Sequence, residues 1–255
     1  MTDAFPPAEL SPLPVAPSRV HPIVALDVPD RAGAERVVRQ LGEACGFYKV
    51  GLELFAAEGP SVVRWLRDAG KAVFVDLKLH DIPTTVHGAA RSVARLGASL
   101  LTVHASGGAA MVAAAVAGAE EGAPGGGCGI LGVTILTSLD ASAVAAAWGR
   151  EGEVDVVAEV VRLAGVVAQA GGAGVVCSGH EAAAVRQVHG DRLGTLVPGI
   201  RLAGGATHDQ QRVMTPAAAA AAGARWLVLG RAVTGAADPV AALGAVRAAL
   251  GASAA

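Results

Sequence analysis

Residues 73–85 read VFVDLKLHDIPTT. Alternate side chains of a strand point to opposite faces, so Val73, Val75, Leu77 and Leu79 form one apolar face while Phe74, Asp76, Lys78 and His80 form the other. Asp81 follows directly, and Pro83 stops the strand from continuing. In a chain with only 16% charged residues, this is a dense cluster of ionisable groups on one short element. An apolar face that packs on helices, opposite a polar face that turns into a mouth, is how barrel strands present site residues at their C-terminal ends.

The flanking sequence repeats the plan. Short β-rich runs at 20–28, 47–52, 71–79, 99–105, 129–136, 173–177, 195–200 and 225–229 alternate with stretches of helical apolar spacing, such as Ala34, Val37, Val38 and Leu41 or Val62, Val63, Leu66 and Ala69. Gly70 and Gly97 stand where helices should stop, and Asp238 with Pro239 reads as an N-cap and first-turn proline. Parallel strands need crossovers and eight of them close a sheet, so the predicted fold is α/β, a single-domain (β/α)8 TIM barrel. An open doubly wound sheet is the alternative, but the first run ends ALDVPD and no GxGxxG follows it. The long stretch 138–154 is expected to hold an extra short helix.

A length of 255 residues with 53% hydrophobic content suits one large core. Residues 20–255 are assigned to the barrel. Residues 1–19, with Pro6, Pro7, Pro12, Pro14 and Pro17 and early acids, are read as a disordered leader, since a secretory signal needs a basic start and a continuous apolar stretch. The net charge of −2, the pI near 6.4 and the 3% aromatic content offer neither a basic field nor stacking platforms for nucleic acid. Mean hydropathy is positive because of Ala and Val, yet the longest apolar run, near Ala109 to Ala119, is too short for a bilayer, so no membrane association is expected. Cys45, Cys128 and Cys177 form no CxxC and leave an odd thiol, which fits a reducing, cytoplasmic setting.

Other strand ends converge on the same mouth. Asp27 closes the first candidate strand, Lys49 lies on the second, His104 closes the fourth, and Thr134 and Thr137 lie at the end of the fifth. The last two runs continue into VPGIR, ending at Arg201, and LVLGRAVT, with Gly230 and Arg231. Barrels commonly bind phosphate with the loops after strands 7 and 8, where Arg can grip two oxygens and Gly lets the backbone approach. Buried acids and a lysine could instead pair merely to hold the rim together. Desolvation costs several kcal/mol per ion, about what good pairing returns, so stability alone explains the cluster poorly. No metal is predicted: HExxH and Cys/His clusters are absent, and Lys49 and Lys78 would repel a divalent ion.

ALDV, YKVGLELF, DLKLHDIPTTV, VHASGG, VTILTS, VPGIR and GRAVT occur in an order and spacing that resemble the bacterial orotidine 5'-phosphate decarboxylases, over about residues 23–246. The resemblance implies a cofactor-independent conversion of orotidine 5'-monophosphate to UMP, the last step of de novo pyrimidine synthesis. It further implies Lys78, Asp76 and Asp81 as catalytic residues, Asp27 and Lys49 on the ribose, Thr85 and Thr137 on the nucleotide, and Arg201, Gln210, Gly230 and Arg231 at the phosphate. The loop 202–212 would close over that phosphate. A homodimer with shared sites is implied too, Asp81, Ile82 and Thr85 serving the neighbouring pocket. Two rivals stand beside it: a metal-dependent sugar-phosphate decarboxylase or aldolase of the same fold, whose strand-2 glutamate is replaced here by Lys49, and a non-catalytic phosphate-binding barrel, which would need no lysine between acids.

Overall fold

The computed structural model describes residues 20–202 and 214–252, so the leader and Gln210 lie outside the described residues, as does all of the anticipated phosphate-covering loop beyond Leu202. The chain runs β1 (His21–Ala25), α1 (Arg31–Leu41), β2 (Phe47–Gly51), α2 (Leu52–Glu58), α3 (Ser61–Asp68), β3 (Ala72–Leu79), α4 (Pro83–Arg95), β4 (Leu100–His104) and α5 (Gly108–Gly122). It continues through β5 (Gly129–Val133), α6 (Ala141–Ala147), α7 (Val156–Gln169), β6 (Gly174–Val176), α8 (Gly179–His189), β7 (Gly194–Val197), α9 (Pro216–Ala221), β8 (Trp226–Leu229), α10 (Arg231–Thr234) and α11 (Pro239–Ala252). All eight strands pair in parallel with their sequence neighbours, and β8 pairs back onto β1 from His21↔Trp226 to Val24↔Leu229, closing the barrel.

Strand alternation sorts the core into two clusters. Ile23, Phe47, Phe74, Leu100, Leu131 and Trp226 fill the barrel, while Val24, Tyr48, Val50, Val73, Val75 and Leu101 face the helices. Room for the Trp226 ring comes from glycine: a β-carbon would stand 3.0 Å from it at Gly174 and 2.6 Å at Gly194, the first residues of β6 and β7. The β3 faces fall as their pattern predicts, with Leu77 and Leu79 packed on the helix side.

Helix boundaries follow local chemistry. Asp30 caps α1 by accepting from Gly33 N, and Asp238 accepts from Ala241 N at the start of α11. Gly70 and Gly97 adopt φ of 71° and 82° just past α3 and α4, conformations that cost a larger residue. The extra helix in 138–154 is α6. Beyond it, Glu159 on α7 pairs with Arg150 and Arg162, and the Arg162 hydrogen bonds hold its carboxyl below the usual range. α4 and α5 pack tightly: a β-carbon at Gly118 or Gly122 would come within 2.2 Å of His87 O or 2.4 Å of Arg91 O. Cys45, Cys128 and Cys177 are buried and form no disulfide among the described residues, and burial pushes the Cys128 thiol up to about 12. Among the described residues, no helix is long and apolar enough to cross a membrane.

The strands end earlier than the apolar runs do: β5 stops at Val133 rather than Leu136, and β7 at Val197 rather than Ile200. There the chain leaves the ladder to shape the mouth.

Candidate active site

At the C-terminal ends of the strands the barrel opens into a cavity of about 530 Å³, within the range of small-molecule sites. Asp27, Lys49, Asp76, Lys78, Thr137, Arg201, Gly230 and Arg231 all line it, among apolar residues such as Phe74, Ile135 and Val228. Four of these form a row of alternating charge. Lys49 Nζ, on β2, donates to Asp27 Oδ1 at 2.8 Å and lies 3.6 Å from Asp76 Oδ2, while Lys78 Nζ donates to Asp76 Oδ1 at 2.9 Å. Lys49 is buried, and such a charge persists only when partnered. Gly51 leaves space for the row, since a β-carbon there would lie 3.0 Å from Lys49 Nζ and 3.3 Å from Asp27 Oδ1.

Lys78 holds a strained backbone. Its φ of 51° makes it the only non-glycine residue with positive φ among the described residues, a conformation that costs on the order of 1–3 kcal/mol and is typically held by its surroundings. The β3–β4 register runs Val75↔Leu101 and then Leu79↔Val103, so Asp76, Leu77 and Lys78 stand opposite Thr102 alone. Such bulges re-aim side chains beside active sites. The displaced Lys78 N–H donates to Thr102 Oγ1 at 2.9 Å.

His80 departs from its predicted place. It does not line the cavity; past the bulge its ring sits 5.4 Å from that of His104, which is likewise outside the lining. Burial first, and then His80 and Lys78, hold His104 below the ordinary histidine range. Thr134 turns aside as well, donating to Val176 O at 2.8 Å.

Asp81, Ile82 and Thr85 also lie outside the cavity lining. Asp81 accepts from the Ile82 N–H at 2.6 Å and, among the described residues, forms no ion pair with Lys78. Residues 81–85 are exposed without interruption, and Ile82 is 66% exposed.

Later in the sequence, Gly199 adopts φ 74° and Arg201 N donates to Met214 O at 2.9 Å, fixing the backbone at Arg201. Among the described residues, a β-carbon at Gly230 would meet nothing within 4 Å beyond its own chain neighbours. Two arginines beside open backbone at the ends of β7 and β8 are groups that can bind an anion. Pro198, Gly199 and Thr234 also line the site, with Gly51 and Thr102 against its charged row, though none of the five stands out in the sequence. A lone hydroxyl inside LLTVH, two positions before His104 and hence on its face, was the available signal for Thr102.

The arrangement can hold a phosphorylated ligand and set a fixed ammonium against it. Residues 21–246 match the family model of the orotidine 5'-phosphate decarboxylase / HUMPS family. Orotidine 5'-phosphate decarboxylase of Anaeromyxobacter dehalogenans is 54% identical over 89% of this chain and 96% of its own. That of Moorella thermoacetica is 48% identical over 89% of this chain and 90% of its own. The crystal structure of orotidine 5'-phosphate decarboxylase from Lactobacillus acidophilus superposes with a TM-score of 0.81 at 34% identity, covering 91% of this chain and 99% of that one. With the closed barrel, the charged row and these matches together, the chain belongs to the orotidine 5'-phosphate decarboxylase / HUMPS family.

Proposed function

We propose that the chain decarboxylates orotidine 5'-monophosphate to UMP, the last step of de novo pyrimidine synthesis, with Lys78 as the reacting group. The observation that carries this reading is the Lys78 ammonium, 2.9 Å from Asp76 Oδ1, in a cavity that also holds Arg201 and Arg231. Breaking the bond from C6 to the carboxylate leaves an electron pair in the ring plane, where the π system cannot take it up. A fixed cation beside C6 stabilises that pair as it forms, and the same ammonium then gives it a proton. Asp76 orients the amine and, beside the departing carboxylate, disfavours the bound substrate relative to the transition state.

Asp27 and Lys49 hold the ribose hydroxyls, Thr137 contacts the nucleotide, and Arg201, Gly230 and Arg231 take the phosphate, joined by Gln210. Binding energy from that remote phosphate supports the chemistry at C6. Asp81, Ile82 and Thr85 complete the pocket of a second copy in a cytoplasmic, cofactor-independent homodimer. The unbroken exposure of residues 81–85, together with Leu52 at 58%, supports a covering partner there. Lys49 disfavours the metal-dependent sugar-phosphate chemistry, because its ammonium stands between Asp27 and Asp76 where a cation-binding acid would be needed.

The test is loss of the substrate's ultraviolet absorbance in chelator-treated buffer, where wild-type protein turns over; strict dependence on added magnesium would overturn the reading. Lys78→Ala should lower turnover by at least about 10³-fold while UMP still binds, measured by calorimetry. Retained turnover would remove Lys78 from its role.

A further inference from the structure

We infer that Thr102, on β4, is a positioning residue for this decarboxylation, its hydroxyl fixing both the backbone and the ammonium of Lys78. The inference rests on the function proposed above. Thr102 is fully buried, and its hydroxyl is spent within one closed circuit. Oγ1 accepts from the Lys78 N–H at 2.9 Å and donates to Asp76 Oδ1 at 2.9 Å, and the same Oδ1 accepts from Lys78 Nζ at 2.9 Å. A hydroxyl has a single proton, so donation to Asp76 fixes its direction and leaves a lone pair for the Lys78 N–H. A buried threonine needing only satisfaction would be served by any strand carbonyl, as Thr134 is by Val176 O. Thr102 instead joins the two groups proposed to perform the reaction.

The register shows why a side chain is needed. Three β3 residues face Thr102 alone on β4, and Lys78 among them holds φ 51°. With its N–H anchored, the residue stays in the left-handed region and its side chain enters the cavity. On Asp76 the hydroxyl pins Oδ1 toward Lys78, leaving Oδ2 on the Lys49 side, 3.6 Å away. Without it, the carboxylate can rotate toward Lys49 and the Lys78 backbone can relax, and both motions displace the ammonium from C6. Thr102 is absent from the cavity lining, so its removal should spare the ribose and phosphate contacts.

Steady-state kinetics and calorimetric UMP binding on wild type, Thr102→Val and Thr102→Ser test this. Thr102→Val, which keeps the shape and loses the hydroxyl, should lower kcat by about 10- to 100-fold while KM and the UMP Kd stay within about threefold. Thr102→Ser should return kcat to within about threefold of wild type, because it restores both hydrogen bonds. Wild-type kcat in Thr102→Val overturns the inference, as does a joint fall of kcat and UMP affinity that serine fails to repair. If the valine variant does not fold, Thr102→Ala is read by the same outcomes. Wild-type protein that binds UMP but never consumes the substrate would defeat the proposed reaction itself, a result distinct from an unaltered Thr102→Val.

Discussion

Gly51 shows how much of the site depends on what a residue lacks. Its hydrogen leaves the Lys49–Asp27 pair undisturbed, whereas a methyl group would have to displace the ammonium or the carboxylate at the 3.0 and 3.3 Å contacts. Both partners are the ends of side chains, so the fold should survive Gly51→Ala and the ribose contacts should not. We expect KM to rise about tenfold with kcat changed less, in steady-state assays; an unchanged KM would separate this pair from substrate binding. At this scale the sequence was legible wherever period-two alternation held, which placed Phe74, Asp76 and Lys78 on the inner face. It failed at His80 because β3 ends at Leu79, so strand alternation no longer governs the next residue. Thr102 itself is inconspicuous, since a β-branched residue in an apolar strand reads as ordinary filler.

At the scale of elements, strand existence was legible and strand ends were not, because apolar runs such as Val133 to Leu136 continue beyond the ladder into the mouth. Pairing of α4 with α5 was equally hidden; the Ala/Gly-rich segment 107–127 carries little pattern, yet its glycines let two helix backbones touch. Gly118→Ala would drive a methyl group to 2.2 Å from His87 O, a backbone atom that cannot swing aside. Overpacking of this kind costs about 1–3 kcal/mol, and we expect Tm to fall by about 2–10 °C in a thermal melt. An unchanged Tm would show that the helices slide apart freely. Because α4 begins at Pro83, directly after Asp81 and Ile82, a shift of this helix moves the exposed segment assigned to the partner's pocket.

For the whole molecule, eight βα units were enough to foresee the closed barrel, whereas a shared pocket cannot be read from one chain's periodicity. Asp81 is chemically conspicuous in the sequence, but its partner belongs to another copy in the proposed dimer. Mixing settles that point. Lys78→Ala and Asp81→Ala proteins, each inactive alone, should regain about a quarter of wild-type activity when exchanged in equal amounts, as half of the dimers would carry one intact site of two. Verified mixed dimers without activity would end the shared-pocket proposal. The seam between β1 and β8 has a consequence of its own. His21 and Trp226 meet although they lie near opposite ends of the described chain, so the ring is sealed late during synthesis. Until β8 emerges from the ribosome, β1 and β7 each present a row of unpaired amides to the cell, and chaperone shielding matters most in that interval.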